Sequence, residues 1–244
     1  MVLFISDVHL GFFERNEDKI IEDKLIAFLS SIPEQCKKLL IVGDLFDYWF
    51  EYKTVIPRIY IRTLAELYNL KKRNIEIEFI IGNHDFGLID FFETELDIKT
   101  YREDIEREFY GKKFYISHGD GKSENDTGYK ILKSILRHQL SMRLFQVLHP
   151  DFGIYLAKYS SQKSRKHTDK KNYGNDSMIK FAKQKNDEGF DYVVMGHCHK
   201  PIIIKNQTGS YINLGAWMKE PQFGIFDGEV FKLLDFDYFI KKKL

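Results

Sequence analysis

Five short apolar runs, each rich in β-branched or aromatic residues, stop at a small cluster of Gly, Asp, Asn and His. Val2-Leu3-Phe4-Ile5 precedes Asp7-Val8-His9, and Leu39-Leu40-Ile41-Val42 precedes Gly43-Asp44-Leu45-Phe46-Asp47. Glu78-Phe79-Ile80-Ile81 precedes Gly82-Asn83-His84-Asp85, Phe114-Tyr115-Ile116 precedes Ser117-His118-Gly119-Asp120, and Tyr192-Val193-Val194-Met195 precedes Gly196-His197-Cys198-His199. Such runs, bounded by turn-forming residues, read as buried strands, so every cluster falls where a strand ends. Loops at strand ends on a rigid sheet gather residues that are distant in sequence. The order predicts an α/β chain with one site built from five loops.

The segments between the runs agree. Asp18–Leu29 has Ile20, Ile21, Leu25 and Phe28 on one side, and Arg58–Leu70 repeats Ile61, Leu64, Ala65 and Tyr68 at helical spacing. The first third therefore alternates strand, helix, strand, helix, strand. Between Asn125 and Lys171 the character changes to a basic amphipathic stretch, interrupted at His149-Pro150, where proline is expected to end a helix. From Lys122 to Lys171 eleven Lys or Arg face four acids, although the whole chain carries a net charge of only +1. With 244 residues and 43% hydrophobic content, one domain with an insertion is expected: a core over 1–121 and 172–244, and a helical insertion over 122–171. Two readings of the insertion stand: a helical hairpin with a packed apolar side and solvated charges, or a lid, because it follows the His118 cluster directly.

No uninterrupted apolar stretch approaches the roughly 20 residues that a membrane span needs. The N-terminal residues enter a strand without a charged leader region, so no secretory signal is expected. Cys36 and Cys198 make no disulfide framework, and the cytoplasm is the expected compartment.

Asp carboxylates, neutral imidazoles and an Asn carbonyl suit divalent manganese, iron or zinc. The available set is Asp7, His9, Asp44, Asn83, His118, His197 and His199, more than one tetrahedral zinc uses. It suits two metals sharing a carboxylate, an arrangement that can clamp a phosphate and lower the pKa of a water. Cys198, between two such histidines, reads as a bystander filling a small space.

In this order the clusters D-x-H, G-D-x-x-D, G-N-H-D, a lone H and G-H-x-H resemble the calcineurin-like metallophosphoesterase family, across residues 7 to 199. The resemblance implies two packed mixed β-sheets flanked by helices, with the helical segment as a cap. It implies that Asp7, His9, Asp44 and His199 hold one metal and that Asp44, Asn83, His118 and His197 hold the other, manganese being the expected ion. His84 then stays free of metal as the catalytic residue beside the phosphate, oriented by Asp47.

Within that family, Asp7-Val8-His9-Leu10-Gly11, Gly43 to Trp49, Gly196 to Pro201 and Leu214-Gly215-Ala216-Trp217 resemble the UDP-2,3-diacylglucosamine diphosphatases. Those enzymes release UMP and 2,3-diacylglucosamine 1-phosphate during lipid A synthesis. The resemblance implies a UDP-linked diacyl glucosamine lipid as substrate, bound by Asn83, His84, His197 and, in the cap, by Asp126, Tyr129, Ser164 and Lys171. A basic, apolar cap implies peripheral contact with the cytoplasmic face of the inner membrane. No nucleic acid and no obligate protein partner are expected. One departure stands out, because many of these diphosphatases carry Arg where this chain has His84. The rival readings are a relative acting on soluble nucleotides or dinucleoside polyphosphates, a nucleic-acid-binding phosphoesterase, and a metal-free scaffold, for which ligands should be missing and none is.

Overall fold

A computed structural model describes residues 1–122, 134–168 and 175–237. Every apolar run named above lies in a strand, apart from Ile81, which follows the end of its strand. Among the described residues eleven strands form two mixed sheets. The first has the order β11 (Phe231–Asp235), β10 (Gln222–Phe226), β1 (Val2–Ile5), β2 (Lys38–Val42), β3 (Glu76–Ile80), β4 (Lys99–Tyr101). The second runs β5 (Ile105–Phe109), β6 (Lys112–Ser117), β7 (Tyr192–Met195), β9 (Ser210–Asn213), β8 (Ile202–Lys205). β1 to β4 are mutually parallel, as are β6, β7 and β9, while β10, β11, β5 and β8 pair antiparallel at the margins. Within each sheet the strands that carry the clusters thus end on one edge.

The two-residue period of a strand sends alternate side chains to opposite faces. Val2, Phe4, Leu40, Val42 and Ile80 of the first sheet meet Phe114, Ile116, Val194 and Ile212 of the second in one core. Leu3, Ile5, Leu39 and Ile41 turn the other way, toward α1 (Arg15–Ser31) and α2 (Ile61–Lys72), whose Leu25, Phe28, Leu64 and Leu67 they join. On the far side of the second sheet Tyr115, Val193, Met195 and Tyr211 pack with Met178 and Ala182 of α6 (Asn175–Asp187). The result is helix on sheet on sheet on helix, the two-sheet α/β arrangement expected.

The first predicted helix, Asp18–Leu29, lies inside the longer α1, whereas the second, Arg58–Leu70, starts three residues before α2 and stops two short of its end, because an apolar stripe marks the buried face and not the ends. Arg58–Tyr60 is a 3-10 turn that leads into α2, and a short α3 (Phe91–Thr94) precedes β4. After β6 the chain makes a helical turn at 134–137, then α4 (Gln139–Gln146) and α5 (Pro150–Thr168). Pro150 starts α5 instead of closing its predecessor, a first-turn position where its missing N–H costs nothing. Ile154 and Ala157 of α5 pack on the first core, and Phe145 of α4 lies 4.1 Å from the ring of Phe50. Leu144 and Val147, in contrast, are 72% and 84% exposed, and Leu140, Phe152 and Tyr155 are exposed as well. The apolar side of this segment is wider than the strip of core that it covers.

Phe114 is fully buried between the sheets, stacked on Phe4 and Tyr192 and edge-on to Phe109 and Phe226. Phe114→Ala is expected to destabilise the protein by about 3–5 kcal/mol in urea unfolding. A loss below about 1 kcal/mol, the scale of an ordinary surface change, would contradict a core shared by the two sheets.

Candidate metal centre

The loops after β1 and β2 are zipped together by backbone hydrogen bonds: Asp7 N to Gly43 O (3.1 Å), His9 N to Asp44 O (3.0 Å), Leu10 N to Leu45 O (3.1 Å) and Asp47 N to Leu10 O (2.8 Å). Gly196 N donates to His118 O at 3.1 Å, joining the loops of the second sheet in the same way. Five of the candidate donors adopt left-handed backbone: Asp7 (φ 53°), His9 (51°), Asp44 (55°), His197 (66°) and His199 (56°). Such conformations cost free energy in residues other than glycine and cluster where side chains must be aimed. The glycines that open three of the clusters leave the space these side chains use. A Cβ on Gly43 would strike the His118 ring, one on Gly82 the Asp44 carboxylate, and one on Gly196 the Asp7 carboxylate.

The side chains converge in two overlapping groups. His199 Nε2 lies 3.1 Å and His9 Nε2 3.6 Å from Asp7 Oδ1, and the two imidazole nitrogens are 3.2 Å apart. Asp44 Oδ2 lies 3.2 Å from His118 Nε2 and 3.7 Å from His9 Nε2, so one carboxylate oxygen faces both groups. Asn83 Oδ1 is 3.0 Å from His118 Nε2, and the His118 and His197 rings are 5.2 Å apart. Donor atoms of Asp7, His9 and His199, and those of Asp44, His118 and His197, all fall within 4.8 Å of one another inside each trio. Asp7, His9, Asp44 and His118 are buried, whereas Asn83, His84, His197 and His199 are partly buried and form the mouth.

These residues fit divalent cations. Asp7 Oδ1 is buried and makes no hydrogen bond of good geometry, although the Nε2 atoms of His9 and His199 lie 3.6 and 3.1 Å from it. Asp7 Oδ2, by contrast, accepts from Ser6 Oγ at 2.6 Å and from His197 N at 3.0 Å. Carboxylate oxygens, imidazole nitrogens and a carboxamide oxygen are the donor set such ions take. Burial alone would raise the Asp7 and Asp44 carboxyls, but the neighbouring imidazoles outweigh it and hold both below the usual carboxylate range. Burial would likewise lower His118, yet the facing Asp44 carboxylate raises it to about 10. His197 is lowered to about 4, first by desolvation of its ring and then by charge on His118. Metal binding requires these carboxylates and imidazoles in their deprotonated forms.

His84 adjoins this group without sharing its orientation. Its ring is edge-on to His9 with centroids 4.8 Å apart, and its backbone N–H donates to Asp44 Oδ1 at 2.8 Å. His84 Nδ1 lies 3.0 Å from Asp47 O and 3.4 Å from Asp47 Oδ1. The Asp47 carboxylate also stands 3.5 Å from His9 Nδ1, so it serves two rings where one was expected. A His84 nitrogen can also join Asp44 and His9 within 4.8 Å. Asp126, Tyr129 and Lys171 lie outside the described residues, and of Ser164 only its place in α5 is described. Cys198 turns from the site, its Sγ 2.9 Å from Met178 Sδ, and burial raises its thiol to about 11.

Several residues that hold the site were not singled out by sequence reasoning. Asp85 is fully buried and accepts from Gly82 N (2.7 Å) and Leu45 N (2.9 Å), tying two loops together. Its position in Gly82-Asn83-His84-Asp85 was the available signal. Asn213 donates to Gly196 O at 2.6 Å, and Asp18 of α1 accepts from Gly11 N at 2.6 Å. Asp18 sits in an ordinary helical pattern that hides this contact.

Residues 1–201 match the family model described as calcineurin-like phosphoesterase. The chain belongs to that family. Proteins named UDP-2,3-diacylglucosamine hydrolase are similar to this calcineurin-like phosphoesterase over most of its length. That from Porphyromonas gingivalis is 30% identical, covering 93% of this chain and 94% of its own. That from Hamiltonella defensa is 33% identical over 82% and 78%, and that from Yersinia pseudotuberculosis is 28% identical over 89% and 91%.

A calcineurin-like phosphoesterase with this donor set should be stabilised by divalent ions. Adding manganese to the chelated protein is expected to raise its melting temperature, with about 2.7 kcal/mol gained at a hundredfold excess over the dissociation constant. Asp44→Ala should abolish that gain in differential scanning calorimetry. An unchanged gain would exclude Asp44 from the centre.

Proposed function

We propose that this chain is a two-metal hydrolase that cleaves the pyrophosphate of UDP-2,3-diacylglucosamine to UMP and 2,3-diacylglucosamine 1-phosphate, a step of lipid A synthesis. The observation that carries the reading is the pair of donor groups sharing Asp44 Oδ2, in a chain whose similarity to the named hydrolases runs through nearly its full length. Asp7, His9, Asp44 and His199 would hold one ion and Asp44, Asn83, His118 and His197 the other, with manganese the native metal. When bound, the ions neutralise phosphate charge and make a water acidic enough to attack. Hydrolysis at the phosphorus proximal to uridine would add the elements of water across the P–O–P bridge, the oxygen going to UMP and the lipid sugar phosphate leaving, with a proton released to solvent.

Asn83, His84 and His197 line the partly buried mouth, where they contact the phosphates. His84 stabilises charge on the reacting phosphoryl group, and Asp47 fixes its ring through Nδ1. The leaving group is itself a phosphate of low basicity, so little proton donation is required. The described helices of the segment 122–171, α4 and α5, serve as a cap over the core. Their exposed Leu140, Leu144, Phe152 and Tyr155, beside Arg143 and Lys158, suit acyl chains and the inner face of the membrane. Anionic lipid adds roughly 1 kcal/mol per nearby basic residue. Among the described residues no helix is long and apolar enough to cross a bilayer, and the contact we propose is peripheral.

Hydrolysis of UDP-2,3-diacylglucosamine with manganese, beside UDP-N-acetylglucosamine and a dinucleoside polyphosphate, tests the substrate. Release of UMP from the diacyl compound alone is expected. Turnover of only the soluble compounds would replace the lipid reading with the soluble-nucleotide one, toward which His84 in place of Arg points. On the diacyl substrate, His84→Ala should slow turnover by about 10- to 100-fold, and Asp44→Ala by more than about 1,000-fold. Equal losses at full metal occupancy would overturn the separate roles.

A further inference from the structure

Arg137 faces the opposite way from its neighbours. In the helical turn at 134–137, Ile135 and Leu136 are exposed, while the Arg137 side chain is only 14% exposed and points toward the loops after β3 and β6. Arginine is rarely withdrawn from water unless its donors are used. Here they are: Nη2 donates to Gly82 O at 2.8 Å and stands 3.7 Å from Asp120 Oδ2, and Nη1 donates to Arg102 O at 3.4 Å.

Gly82 O belongs to the peptide that joins Gly82 to Asn83. Because a peptide unit is planar, fixing this oxygen fixes the tilt of the Asn83 N–H and the direction in which Asn83 and His84 leave the turn. The same glycine is held on its other side by Asp85, through the Gly82 N–H at 2.7 Å, and is pressed against the Asp44 carboxylate. Asp120 lies two residues beyond His118. One guanidinium from the helical segment therefore reaches the peptide carrying Asn83 and the carboxylate following His118.

We propose that Arg137 is a positioning residue that couples the seating of the helical segment to the geometry of the Gly82–Asn83 turn, so that hydrolysis depends on how the segment sits. The proposal rests on the reading that Asn83 and His84 serve phosphate ester hydrolysis; it requires no particular lipid.

The test compares full-length Arg137→Ala and Arg137→Lys with Gln146→Ala, which removes a different tether of the same segment, from Gln146 Nε2 to Glu51 O at 3.1 Å. Hydrogen exchange at the His84 amide, manganese binding by titration calorimetry, and kcat and KM on bis(p-nitrophenyl) phosphate are measured per folded molecule. Arg137→Ala should speed exchange at His84 and lower kcat by between about 10- and 100-fold, the penalty of displacing a reacting group by about an ångström, with KM changed less than twofold. Arg137→Lys, able to reach one carbonyl, should recover part of both losses, and Gln146→Ala should cause neither. Wild-type kcat and exchange in Arg137→Ala would overturn the proposal, as would equal losses in Gln146→Ala. If Arg137→Ala does not fold, Arg137→Lys alone must show the loosened His84 amide and the lowered kcat. Cleavage of the chromogenic ester but not of the diacyl substrate would sink the lipid assignment and leave the Arg137 effect readable. If the wild-type protein cleaves neither compound, the function reading fails, and unchanged His84 exchange in Arg137→Ala then overturns the coupling by itself.

Discussion

Two carboxylates, Asp7 and Asp44, are buried almost completely, and the molecule is arranged around the cost of keeping them charged there. Withdrawing an ion from water costs several kcal/mol unless other charges and dipoles replace the lost solvent. Most of the replacements come from afar: His118 and the His84 N–H beside Asp44, His199 and the His197 N–H beside Asp7, with only Ser6 supplied by the adjacent residue. They can arrive only if five strand ends meet, which the parallel runs β1 to β3 and β6 to β7 provide. The left-handed turns at Asp7, His9, Asp44, His197 and His199 are a further cost, sustained because the surrounding backbone is zipped from loop to loop.

This division explains what could be read from residue order. The donors were legible because carboxylate, imidazole and carboxamide groups just past an apolar run admit few other readings, and the two-residue period placed the runs as strands. The two helices after β1 and β2 were legible for the same reason, from the 3.6-residue period. The pairing of β10 with β1 was not, since Gln222–Phe226 carries no chemistry that singles it out. The supporting contacts of Asp85, Asn213 and Asp18 were hidden too, because each depends on which backbone amide or carbonyl a tertiary neighbour presents. Arg137 could be counted only as one more charge in a basic segment; its inward turn is set by carbonyls 35 and 55 residues away.

The helical segment shows the limit of periodicity in another way. Its apolar spacing predicts a stripe, and α4 and α5 do present one, but a stripe does not say what covers it. Phe145, Ile154 and Ala157 meet the core, while Leu140, Leu144 and Val147 meet water. Apolar exposure of this kind is unusual for a surface that has no other use. It lies in the same segment whose Arg137 reaches the Gly82–Asn83 turn, so the exposed apolar face and a contact to that turn share one short piece of chain.

The candidate donors are divided between the sheets: Asp7, His9, Asp44 and Asn83 follow strands of the first, while His118, His197 and His199 follow strands of the second. A coordination bond tolerates displacements of only a few tenths of an ångström. The aromatic filling around Phe4, Phe114 and Tyr192 thus acts as a spacer that sets the gap between the two halves of the candidate donor set. A substitution that let the sheets slide slightly would weaken ion binding before it weakened the fold, so variants of this interior sorted by melting temperature alone would pass molecules whose chelate no longer closes.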